Sequence, residues 1–81
     1  MNIKVQFFSY IRDLTGLTEV DRQVPDGWTL GRLHDALCEE YPPLQEMSRS
    51  TLLAVGVDYE QRTYLLKDGD VVSFFPPVQG G

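Results

Sequence analysis

The residues best suited to chemistry stand together at the end of the sequence, in Phe74-Phe75-Pro76-Pro77-Val78-Gln79-Gly80-Gly81. A carboxylate carried by Gly81 sits on a residue without a Cβ and is preceded by another, so nothing crowds its carbonyl against an attacking group. The six residues from Pro76 to Gly81 extend to at most roughly 20 Å, and the prolines bias the first part of that reach toward a stiff, extended form. Such a tail can enter another protein's site. Chain ends are also commonly disordered, and a Gly-Gly ending arises by chance in roughly one chain in two hundred, so the residues before it must decide.

Other candidates carry less. His34 and Cys38 stand four apart on a predicted helix, where their side chains could meet as a thiolate–imidazole pair or begin a zinc site. A metal site needs three or four ligands, and the chain holds one His and one Cys, so no metal site is predicted. The expectation is a helix-flank His and a partly buried structural Cys. The carboxylate pairs Glu39-Glu40, Asp58-Glu60 and Asp68-Asp70 fall at a helix end, in a loop and in a turn, where solvated acids belong. No phosphate-binding glycine loop and no serine nucleophile elbow is present.

Eighty-one residues with 42% hydrophobic content make one small domain. The single Cys38 cannot form an internal disulfide, which fits a reducing cytoplasm better than secretion, and cytoplasmic localisation is expected. Met1-Asn2-Ile3-Lys4 runs straight into an alternating pattern, so no signal peptide is expected, and the apolar run Val71–Val78 is far short of a membrane span. A net charge of −5 with seven scattered basic residues argues against nucleic-acid and anionic-membrane partners.

The elements that position the tail follow from periodicity. Ile3, Val5 and Phe7 alternate with Lys4 and Gln6 as a first strand with one buried face. Ser9 to Gly16 predicts a short connecting helical turn, with Ser9 as N-cap and Gly16 as its stop. Thr18, Val20, Arg22 and Val24 share one face of a second strand, antiparallel to the first. Thr29 is placed to cap a helix from Leu30 to Glu40, whose stripe is Leu30, Leu33, Leu37 and Tyr41, and Pro42-Pro43 ends it. A short turn of helix around Leu44 and Met47 is expected next, then a nearly all-apolar central strand over Thr51–Val57. Asp58 to Arg62 reads as polar loop, Thr63 to Leu66 as a short edge strand, Lys67 to Asp70 as a turn, and Val71 to Phe75 as the last strand. This order predicts an α+β fold, a β-grasp (ubiquitin-like) arrangement with a mixed sheet, one main helix across one face, and the first and last strands parallel. Residues 1–75 form the domain and 76–81 an extended tail.

The Phe7-Phe8 and Phe74-Phe75 pairs pose one question, because neighbours in a strand point to opposite faces. One ring of each pair enters the core, and the other is covered or forms an apolar docking surface at the base of the tail. The partner-binding candidates are Phe7, Phe74, Phe75, Pro76, Pro77, Val78 and Gln79.

The ending Lys67-Asp68-Gly69-Asp70-Val71-Val72-Ser73-Phe74-Phe75-Pro76-Pro77-Val78-Gln79-Gly80-Gly81 resembles that of the small, sulfur-carrying subunit of molybdopterin synthase. The start is similar too: Ile3-Lys4-Val5-Gln6-Phe7-Phe8, then Ile11-Arg12-Asp13-Leu14-Thr15-Gly16, matches that family's first strand and following turn. The resemblance covers the whole chain, with its specific motifs at the two ends. One departure is Gly56, which follows Val55 where the family often has Asn.

The resemblance implies that a ubiquitin-activating-like adenylyltransferase uses ATP to adenylate Gly81, next to Gly80, and that a sulfur donor protein converts the product to a thiocarboxylate. The tail then enters the large catalytic subunit of a heterotetrameric synthase and gives sulfur to cyclic pyranopterin monophosphate, in molybdenum cofactor biosynthesis. This chain would bind no cofactor and would be a non-catalytic, sulfur-donating subunit. The alternatives are a sulfur carrier for thiamine thiazole or another thio-metabolite, a ubiquitin-like protein modifier, and an interaction domain with an inert tail.

Overall fold

The computed structural model describes residues 1–77. Strand β1 (Asn2–Phe7) buries Ile3, Val5 and Phe7 and leaves Lys4 and Gln6 on the other face, as its alternation requires. Helix α1 (Tyr10–Thr15) follows, and Gly16 closes it in the left-handed region (φ 75°), its N–H donating to the Arg12 carbonyl at 2.8 Å. Ser9 stands at the N-cap but its side chain makes no capping bond. Expected as a mere connector, α1 buries Ile11 completely, so it contributes to the core.

Strand β2 (Glu19–Gln23) pairs antiparallel with β1, with Val5 opposite Val20. Helix α2 (Leu30–Glu40) has the predicted bounds, and the Thr29 hydroxyl accepts from the Arg32 N–H at 3.2 Å as its cap. Leu30, Leu33 and Leu37 are buried beneath it. Pro42-Pro43 does not simply stop the chain: it opens a 3₁₀ helix (Pro42–Met47) that buries Leu44, the short turn expected there.

Strands β3 (Leu52–Val55), β4 (Asp58–Tyr59) and β5 (Val71–Phe75) complete a five-stranded sheet in the order β2-β1-β5-β3-β4. Two expectations are corrected. The middle of the sheet is β5, with β3 one place out, because β5 pairs parallel with β1 and antiparallel with β3. The edge strand is Asp58–Tyr59, folded back on β3 by a tight turn at Gly56 (φ 61°), whereas Thr63–Leu66 makes only an isolated bridge between Leu65 and Thr29. The helix on one face, the mixed sheet and the parallel first and last strands make the β-grasp predicted from the sequence. Among the described residues no helix is long and apolar enough to cross a membrane.

Candidate functional site

Strand β5 ends at Phe75, and Pro76 and Pro77 leave the sheet from its middle, half-buried. Register settles which ring of each pair is available. Phe7 lies beside Phe74 in the parallel β1–β5 pair, and Leu53 lies opposite Phe74 from β3, so all three share the face under α2. Phe7 is 2% and Phe74 0% exposed, with their rings edge to face at 5.7 Å. Both belong to the core. The docking role expected for Phe7 and Phe74 is therefore corrected: the sheet's pleat turns these rings inward, where α2 covers them.

Their neighbours point the other way. Phe8 and Phe75 stack on the open face of the sheet at 4.6 Å with 14° between ring planes, and Tyr59 from β4 meets Phe75 edge to face at 6.2 Å. Phe8 remains 38% and Tyr59 66% exposed, so the three rings form an apolar patch that no element of the described chain covers. Phe75 stays a docking candidate, and Phe8 and Tyr59 join it. Tyr59 escaped the sequence reading because it sits in a polar stretch; an aromatic residue on a two-residue edge strand leaves no periodic pattern. The expectations for Val78, Gln79, Gly80 and Gly81 lie outside the described residues.

The histidine and cysteine of α2 are not a reactive pair. His34 is 2% exposed, more buried than a helix flank suggests, and packs edge to face on Phe74 at 5.1 Å. Burial, and then the neighbouring Arg62 charge, hold its pKa below the usual imidazole value, so at neutral pH the ring is uncharged and its Nδ1 accepts from Arg62 Nη1 at 3.1 Å. Cys38 is buried, and desolvation followed by the Asp35 charge raises its thiol pKa, which disfavours the thiolate a nucleophile needs. No hydrogen bond joins the two among the described residues, nor is any group of three or more His, Cys, Asp or Glu placed to hold a metal ion.

Arg62 was not singled out by the sequence, yet it fastens the 56–66 segment to α2. Its Nη2 donates to both Asp35 carboxylate oxygens at 2.9 Å and to the Gly31 carbonyl at 3.2 Å, while Gly31 N–H donates to the Arg62 carbonyl at 2.9 Å. Partners 27 to 31 residues apart leave no local signal.

The ThiS family model matches residues 5–81. The chain belongs to the ThiS family. It is 40% identical to the molybdopterin synthase sulfur carrier subunit of Escherichia coli K12 over 98% of this chain and 99% of that protein. It is 30% identical to small archaeal modifier protein 3 of Haloferax volcanii over the full length of both. Among solved structures, the complex of subunits 1 and 2 of the molybdopterin-converting factor from Helicobacter pylori contains a chain that matches with TM-score 0.71 and 29% identity, covering all of both chains. SAMP1 from Haloferax volcanii, at 23% identity with full coverage of both chains, shares the fold with TM-score 0.85.

Proposed function

We propose that this ThiS-family chain is the sulfur-carrying subunit of a molybdopterin synthase, and that its reacting group is the carboxylate of Gly81. The observation that carries the reading is the uncovered patch of Phe8, Phe75 and Tyr59 at the root of the Pro76-Pro77 segment. It supplies a docking surface next to a tail that must be handed to two enzymes in turn. In the first, a carboxylate oxygen of Gly81 attacks the α-phosphorus of ATP and pyrophosphate leaves. The terminal sulfur of a donor protein's persulfide then displaces AMP to give an acyl disulfide, and a thiol reductant cleaves its S–S bond, releasing the thiocarboxylate and the donor. In the second, the large subunit receives the tail and the thiocarboxylate sulfur bonds to cyclic pyranopterin monophosphate. Water then cleaves the acyl–sulfur bond and returns the Gly81 carboxylate, and two such transfers complete one dithiolene.

The described residues offer little help with that chemistry, since His34 is neutral and engaged by Arg62, and Cys38 is a buried thiol. The acids and bases of the transfer are therefore assigned to the large subunit. The likeness to an archaeal modifier protein supports one second reading, in which Gly81 is joined to a lysine of a target. Reconstitution separates them. With the cognate activating enzyme, ATP, a sulfur donor and the large subunit, the chain supports dithiolene formation and a variant lacking Gly80 and Gly81 does not. Undiminished transfer by the truncated variant would refute the carrier reading, and isopeptide conjugates through Gly81 without pterin product would select the modifier.

A further inference from the structure

On the helix side of the sheet a cavity of about 290 Å³ is lined by His34, Asp35, Ser48, Arg49, Thr51, Leu53 and Arg62. Its place is set by register. Leu53 lies opposite Phe74, and Leu52, the residue after Thr51, lies opposite Phe75, so the cavity stands beside the end of β5 where Pro76 leaves. The aromatic patch flanks that exit on one face of the sheet and the cavity flanks it on the other.

Its charge differs from the rest of the molecule. The chain carries −5 overall. Lys4 pairs with Glu19 at 3.3 Å, Arg22 with Glu40, and Arg62 with Asp35 at 2.9 Å. Arg32 lies over the Trp28 ring at 5.1 Å and Lys67 near the Tyr64 ring at 5.9 Å. Among the described residues only Arg12 and Arg49 have neither an acidic nor an aromatic partner, and Arg49 is the one that lines this cavity. Within it the Arg62 guanidinium is held by Asp35, Gly31 and His34, which fixes its position and offsets its charge. The uncompensated cation is Arg49.

We infer that Arg49, in the cavity beside the tail exit, receives an Asp or Glu side chain of the large subunit that accepts the tail. The inference rests on the carrier reading. A guanidinium matches a carboxylate with two parallel N–H···O bonds, and one uncompensated arginine on an acidic chain suits a single carboxylate rather than a polyanion, which the net charge repels. The contact would orient the domain as the tail enters, one anchor on each face.

The test uses Arg49→Glu and Arg49→Ala, with Lys67→Glu as a control for net charge. Lys67 lies in the turn before β5, at the opposite end of that strand from the tail. Calorimetric titration of the cognate large subunit, at low and physiological salt, should show binding weakened about tenfold or more by Arg49→Glu, with Lys67→Glu close to wild type. Arg49→Ala should flatten the salt dependence of binding. Equal affinities for wild type and Arg49→Glu, or equal losses for Arg49→Glu and Lys67→Glu, would overturn the inference while the carrier reading stands. A wild-type chain that fails to bind the large subunit would overturn both.

Discussion

Replacing Phe74 and Phe75 separately by Ala tests the division of labour between two adjacent rings. Phe74 is fully buried, touching Phe7 and His34 edge to face, so Phe74→Ala removes a whole ring from the packed centre. Truncations of this kind cost about 3–5 kcal/mol. A domain of this length has roughly 4–12 kcal/mol in total, so this variant stands near the edge of folding. Phe75 is half-buried on the open face, and its removal forfeits the stack with Phe8, about 1 kcal/mol. At roughly 4–8 °C per kcal/mol, Phe75→Ala should melt less than about 10 °C below wild type, and Phe74→Ala at least about 12 °C below it or not cooperatively at all. Binding should invert that order of severity. A ring at the centre of an interface is worth about 2 kcal/mol or more, so Phe75→Ala should bind the large subunit roughly 30-fold more weakly while still folded. Thermal unfolding by circular dichroism and calorimetric titration of the large subunit measure the two effects. A Phe75→Ala protein that binds normally, or one destabilised as much as Phe74→Ala, would refute the assignment of faces.

Three further predictions come from α2. His34 is the chain's one histidine, and its native pKa is lowered by burial and by Arg62, so below about pH 6.5 the unfolded chain binds more protons than the native one. The associated stability is complete above that pH and is lost as pH falls toward the native pKa, at no more than about 1.4 kcal/mol per pH unit; urea unfolding from pH 7 to 5 should show the slope in wild type and lose it in His34→Gln. Gly31→Ala should destabilise the fold despite better helix propensity, because the new Cβ would stand 2.9 Å from Arg62 Cβ, whose backbone carbonyl is held by Gly31 itself; a raised melting temperature would contradict this. Cys38→Ala should fold and still support sulfur transfer, and a folded Cys38→Ala protein inactive in the reconstituted reaction would return the thiol to the mechanism.

Much of this architecture was legible because period and punctuation agreed. Thr29 as a cap, leucines at helical spacing and Pro42-Pro43 bracket α2 correctly, and the alternation of Ile3, Val5 and Phe7 identifies the buried face of β1. The pattern runs out where two apolar residues adjoin, since Phe74-Phe75 satisfies either choice of face until pairing with Leu53 and Phe7 decides it. The edge strand Asp58–Tyr59 is too short and polar to show a period, and its one signal in the sequence is the turn residue Gly56. The grip of Arg62 on α2 and the cavity at Arg49 depend on residues brought together only by the completed fold.

The central claim concerns Gly81, and the most direct measurement is the intact mass of the chain after incubation with ATP, the cognate activating enzyme and a sulfur donor, with fragmentation to locate any change. An oxygen-to-sulfur increment confined to Gly81 is the predicted result. An unchanged mass in the presence of a demonstrably active enzyme, or an increment on Cys38 instead, would contradict the account.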